Sequence, residues 1–234
     1  MTDRPEWMWR HATELRNHWW WRPGWQIGTR FYAFHLAVGC CEDLASLVAQ
    51  YQDAVRDIPG FDPIPREWLH ITMQGLAFVD EISSEDLASV VKTTRAALRE
   101  AEPFTLVFNR PLIRPEALVL VPEDVKPLNN LRDTVRAAID KALGRGIIDL
   151  GSPDFQPHVS FAYVNADQWA ADALTALEGV ESSPTPFRVD EVPLIEMHRD
   201  NRMYEWRVVE SMTLRQSMYD DLSYRPADGA PPLP

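Results

Sequence analysis

Two short segments place an imidazole and a hydroxyl two residues apart, His70-Ile71-Thr72 and His158-Val159-Ser160. Histidine gains or loses a proton near neutrality, so a pair of imidazoles can supply one general base and one general acid. A hydroxyl beside each ring can donate a hydrogen bond to an oxygen on which negative charge collects. Both segments lie in alternating runs, Leu69-His70-Ile71-Thr72-Met73-Gln74 and Gln156-Pro157-His158-Val159-Ser160-Phe161. In a strand, side chains two apart share a face, roughly 6.6 to 7 Å from one another. One strand would therefore present His70, Thr72 and Gln74 together, with Leu69, Ile71 and Met73 behind. The other would present Gln156, His158 and Ser160, with Val159, Phe161 and Tyr163 turned into the core. One such dyad alone is ordinary for the wet face of an antiparallel sheet. Two of them, each in the second strand of its own strand–helix unit, carry more information, because a repeat would bring both polar faces together across a pseudo-twofold axis.

The elements that must position these dyads follow from periodicity. Phe31 to Val38 reads as a strand, and Leu44, Leu47, Val48, Tyr51 and Val55 recur at helical spacing behind Glu42 and Asp43, acids suited to a helix N-terminus. Leu69 to Phe78 is the next strand. Ser83 and Asp86 have the spacing of a capping pair, and Leu87, Val90, Val91 and Leu98 give the following helix its apolar stripe. Strands at Phe104–Phe108 and Ala117–Val121 precede a helix over 124–143, which Gly144 should stop. His158 to Val164 is a strand, followed by a short helix around Trp169, Leu174 and Leu177. Phe187–Met197 and Met203–Leu214 then pair around the polar turn Arg199-Asp200-Asn201-Arg202. The expected architecture is α+β, with a single domain over 31–214 in two lobes, about 31–113 and 116–214, joined at Arg114-Pro115-Glu116. Residues 1–30 hold six of the nine Trp and read as an arm, either clamped over the domain or reaching a ligand through a Trp or Arg22. The Pro-, Gly- and Ala-rich tail (223–234) reads as disordered.

With both motifs flanked by hydrophobic residues, as Trp68-Leu-His-Ile-Thr-Met73 and Phe155-Gln-Pro-His-Val-Ser-Phe161, the chain resembles the 2H phosphoesterase superfamily. That superfamily includes bacterial 2'-5' RNA ligase-like proteins and cyclic nucleotide phosphodiesterases. The resemblance spans about 31–213 in element order and leaves the arm and tail outside. It implies a bilobal fold with a cleft between two antiparallel sheets, helices on the outside, and no required metal or other cofactor. It also implies His70 and His158 as catalytic acid and base, in either order, with Thr72 and Ser160 holding phosphoryl oxygens. The substrate would be a 2',3'-cyclic phosphate, opened to a 2'-phosphate, or a 2'-5' linkage, presented by a cyclic nucleotide or an RNA or tRNA end. Ligation would use the same machinery with a ribose hydroxyl in place of water.

Around this pair, His35, Gln74, Arg114, Arg199 and Arg202 are candidate substrate-binding residues, the arginines because they lie near strand ends or turns. His11, His18 and His198 have no partnered motif. A net charge of −12 disfavours binding along a nucleic-acid duplex, yet leaves room for a short nucleotide end in a locally basic cleft. No apolar run approaches membrane-spanning length. The charged start lacks a signal-peptide core, and Cys40 and Cys41 are adjacent, so the expected address is the cytoplasm. Three rival readings remain, one of them that both dyads are ordinary sheet surface. A metal on His70 and His158 would lack further ligands at the usual spacing. A non-catalytic nucleotide- or RNA-end-binding module on the same fold would have little use for two acid–base imidazoles. The sequence carries no signal for an oligomeric state.

Overall fold

In the computed structural model, residues 10–144, 146 and 155–215 are described; the expected disordered tail lies outside them. Strands β2 (Phe31–Ala37), β4 (His70–Phe78), β10 (Glu191–His198) and β11 (Glu205–Thr213) form one antiparallel sheet in the order β11-β10-β2-β4. A second antiparallel sheet, β3-β7-β6-β5-β9, joins β3 (Phe61–Pro63), β5 (Phe104–Arg114), β6 (Ala117–Pro122), β7 (Val159–Val164) and β9 (Thr185–Val189). The short pair β1 (Glu14–Leu15) and β8 (Gln168–Trp169) ties the arm to the body.

The lobes are not the consecutive halves that the sequence suggested. The boundary near 114–116 falls inside the β5–β6 hairpin of one sheet, and β10 and β11 return to complete the sheet begun by β2 and β4. The helices cross over as well. Helix α1 (Glu42–Val55) follows β2 but packs on β7, β9 and α4 (Ala171–Glu178), while α3 (Lys126–Leu143) follows β6 but packs on β4 and α2 (Ser84–Leu98). Each half of the chain thus contributes to both lobes, and one continuous apolar core runs through the two.

Local chemistry fixes the helices much as expected. The α1 stripe Leu44, Leu47, Val48, Tyr51 and Val55 is buried throughout. Ser83 caps α2, its hydroxyl oxygen accepting from the Asp86 N–H at 3.0 Å. Gly144 ends α3 at φ +94°, a conformation costly for a residue with a Cβ. Among the described residues no helix is long and apolar enough to cross a membrane.

Candidate active site

The two motif strands share one irregularity, placed at the same point of each. Thr72 pairs with His35 and Gln74 with Phe34, so Met73 is an extra residue on β4. Ser160 pairs with Val119 and Ala162 with Leu118, so Phe161 is an extra residue on β7. A bulge of this kind resets the side-chain alternation. His70 and Thr72 face the space between the sheets, but after the bulge Gly75, not Gln74, comes forward. His158 and Ser160 likewise face it, and after the bulge Tyr163 comes forward while Phe161 stays in the core. Two expectations are corrected by this shift. Gln74 is buried away from the cleft, its carbonyl oxygen accepting from Arg136 of α3 at 3.3 Å. Tyr163, assigned to the core, does have a buried ring, but that ring is also part of the cleft wall.

The cleft is a cavity of about 560 Å³. Both dyads line it, and their imidazoles are fixed identically. His70 Nδ1 lies 2.8 Å from the Trp68 carbonyl and His158 Nδ1 lies 2.8 Å from the Gln156 carbonyl. A carbonyl only accepts, so each Nδ1 carries the proton and each Nε2 is left to meet a ligand. The His70 ring stacks flat on His35, with centroids 4.4 Å apart and planes 1° apart, and Trp206 meets its edge at 5.0 Å. His35 also borders the cavity, its Nε2 3.4 Å from the Thr72 hydroxyl.

Burial dominates the electrostatics. It lowers the His70 pKa to about 4, against the Trp68 hydrogen bond and aided by nearby His158. His158 is also lowered, first by burial and then by the Arg114 guanidinium, while its bond to Gln156 works upward. His35 is held well below the ordinary value by burial and by His70. All of these rings are neutral at pH 7 in the free protein.

Of the expected binding arginines, only Arg114 lines the cavity, on the joint that also contributes Pro115 and Glu116. Arg199 is buried outside the lining, donating to the His18 carbonyl at 3.2 Å and lying over the Trp19, Trp25 and Tyr204 rings. Arg202 is exposed and 3.8 Å from Asp62. Both sit on a turn that folds back toward the arm, which is why neither reaches the cavity.

His18 is a cavity residue that sequence reasoning missed. Its ring lines the cavity, stacks on Tyr163 at 4.3 Å and lies 3.3 Å from the Tyr204 hydroxyl through Nε2. Its Nδ1 is 3.4 Å from a Glu116 carboxylate oxygen, but buried without a hydrogen-bond alignment. Burial, then Arg22 and Arg199, lowers its pKa to about 3. No periodic or motif signal marks it, because it stands on irregular chain. The other two lone histidines are structural: His11 accepts from the Ile113 N–H at 3.2 Å, and His198 lies between Asp200 and Glu205.

Burying these rings in the neutral form makes folding pH-dependent. Each histidine titrates near 6.5 when unfolded. Below that pH the unfolded chain binds more protons than the native one, so stability is complete above about pH 6.5 and declines as pH falls toward the native values of about 4 for His70 and about 3 for His18. Between pH 6.5 and 5, where most carboxylates stay ionised, the expected loss is on the order of 2 kcal/mol for each of these two histidines. Urea midpoints measured across that window should fall steadily; a constant midpoint would contradict the burial.

This fold is that of the LigT-like phosphoesterases. Solved structures similar to it include TT0787 of Thermus thermophilus (TM-score 0.58, 21% identity, covering 80% of this chain and 98% of that one). E. coli LigT complexed with 3'-AMP is similar at TM-score 0.57 and 14% identity, covering 80% and 99%, and a crystal structure described as a phosphoesterase at TM-score 0.51 and 18% identity, covering 82% and 100%. No curated protein matches the chain in sequence. The sequence profile of the 2'-5' RNA ligase superfamily matches residues 42–201, and the chain belongs to that superfamily, the 2H phosphoesterases.

Proposed function

We propose that this protein is a metal-independent phosphoesterase that opens 2',3'-cyclic phosphates to 2'-phosphates, with His70 and His158 as acid and base. The observation that carries this reading is the matched pair of dyads on one cavity, each ring pinned through Nδ1 to the carbonyl two residues before it. In hydrolysis one neutral Nε2 removes a proton from water as the water oxygen bonds to phosphorus. The bond from phosphorus to the 3'-oxygen breaks on the opposite side, and the second imidazole, protonated, delivers its proton to that oxygen. Thr72 and Ser160 donate to the non-bridging oxygens. Arg114 supplies the positive charge on the cavity wall that an anionic substrate needs on an acidic protein. That E. coli LigT has been solved with 3'-AMP, ATP and phosphate fits a nucleotide-sized ligand.

The test is a panel of 2',3'-cyclic nucleotides, cyclic-phosphate-ended oligonucleotides and 2'-5' dinucleotides, assayed with EDTA present. Turnover that survives the chelator supports the proposal. Tight binding of a cyclic nucleotide without turnover would make the protein a nucleotide-binding module instead.

The depressed histidines also set an expected pH signature. kcat/KM reports the free enzyme and kcat the complex. In the free protein both rings favour the neutral form, so the acid partner is scarce at pH 7. A bound phosphate anion favours the charged form and raises both values. The kcat/KM profile should therefore be a bell with its maximum below pH 6.5, falling through neutrality, with the kcat maximum at higher pH. Coincident maxima, or flat profiles from about pH 5 to 9, would contradict the scheme.

A further inference from the structure

The arm crosses from one sheet to the other along the wall of the catalytic cavity. On the five-stranded side it is pinned by backbone bonds from Ala12 N–H to Ile113, Arg16 N–H to Pro115 and His18 N–H to Val164, at 2.9, 2.7 and 2.8 Å. On the four-stranded side Gly28 N–H and the Arg30 guanidinium both donate to the Asp200 carboxylate at 2.9 Å, and Val79 N–H donates to the Arg30 carbonyl at 3.0 Å. The crossing segment is held down along its length. The Trp19 indole donates to Asp62 at 2.8 Å, and the Trp20 indole and the Arg22 guanidinium donate to Glu116 at 3.0 and 2.7 Å. The buried Arg199 guanidinium lies over Trp19 and Trp25 from the β10–β11 turn.

This crossing builds part of the cavity. His18 and Trp25 are wall residues that come from the arm itself, and Glu116 and Tyr204 are wall residues that the arm's hydrogen bonds hold in place. The superfamily match begins at residue 42 and leaves the arm outside it. A segment pinned to both sheets cannot swing aside without breaking many hydrogen bonds together.

We infer that the arm is a specificity wall: through His18 and Trp25 it lines the cleft and limits the substrate to a phosphodiester carried on a single nucleotide-sized group. A volume of about 560 Å³ accommodates one nucleotide-sized group. The charge on the wall agrees with this: among the described residues Arg114 is the only arginine or lysine lining it, and the nearby Arg22 is already paired with Glu116. The inference rests on the proposed phosphoesterase activity.

Its test compares a 2',3'-cyclic mononucleotide with a hexanucleotide ending in the same 2',3'-cyclic phosphate. Wild-type kcat/KM should favour the mononucleotide by about tenfold or more. Trp25→Ala should shrink that ratio by raising turnover of the hexanucleotide, whereas Trp21→Ala, an exposed arm residue off the cavity, should leave the ratio alone. Equal or better wild-type turnover of the hexanucleotide overturns the size limit while leaving the phosphoesterase standing. Equal losses on both substrates in a folded Trp25→Ala protein also overturn it. Turnover of neither substrate by wild type removes the activity, and the inference with it. The wild-type ratio needs no variant, so the size limit stays open to refutation even if Trp25→Ala does not fold.

Discussion

Replacing His70 or His158 by alanine is expected to lower kcat/KM for a 2',3'-cyclic nucleotide by about 10²- to 10⁴-fold. No neighbouring imidazole can take over either role, since His35 is turned flat against His70 and His18 is stacked on Tyr163. Alanine also leaves the Trp68 or Gln156 carbonyl without its donor, a cost of roughly 1–3 kcal/mol where that carbonyl is buried. Asparagine provides the control, because its amide can donate in place of Nδ1 yet cannot exchange protons near neutrality. His70→Asn and His158→Asn should be as inactive as the alanine variants but closer to wild type in thermal stability. Since both rings act in one displacement, the double variant should lose little beyond the worse single one. Losses under about tenfold in both single variants would remove the acid–base pair from the mechanism.

How far the site could be read from sequence depends on which interactions are local. The α1 stripe, the Ser83 cap and the Gly144 stop were legible because a helix is decided by neighbours a few residues away. The dyads were legible for a similar reason: each needs only one strand and its alternation. That alternation holds up to the bulge and fails beyond it. Gln74 and Tyr163 were both assigned by counting through a position where the partner strand skips one, and the skip is a property of the pairing, not of either strand alone. The exchange of β10, β11, α1 and α3 between lobes was hidden more deeply, since sequence order favours neighbours in the chain and these contacts join distant segments. The arm was recognised by composition, but its role depends on what it crosses. His18 and Trp25 reach the cavity only because residues 12–18 are bonded to one sheet and 28–30 to the other.

The second large effect is expected at the hydroxyls. Thr72→Val, which keeps the shape, and Ser160→Ala should each lower kcat by about 10²- to 10³-fold with a small change in KM, as for donors that act on charge developed in the transition state. Thr72→Ser should retain most activity. Each hydroxyl has a neutral aromatic neighbour on the cavity wall. Burial, with Tyr204, raises the Tyr163 pKa, so its phenol stays protonated beside Ser160 on the cavity wall. On the other side Thr72 lies 3.4 Å from His35 Nε2, while His35 Nδ1 is buried without a partner. An orphaned acceptor is more tolerable than an orphaned N–H, which places the His35 proton on Nε2, directed at Thr72. The Thr72 hydroxyl then accepts from His35, and its own proton is left to bond a phosphoryl oxygen. Tyr163→Phe should cost about tenfold in kcat, less than Ser160→Ala, because the Ser160 hydroxyl itself remains on the cavity wall. A Tyr163→Phe loss equal to that of Ser160→Ala would instead make the phenol itself the donor.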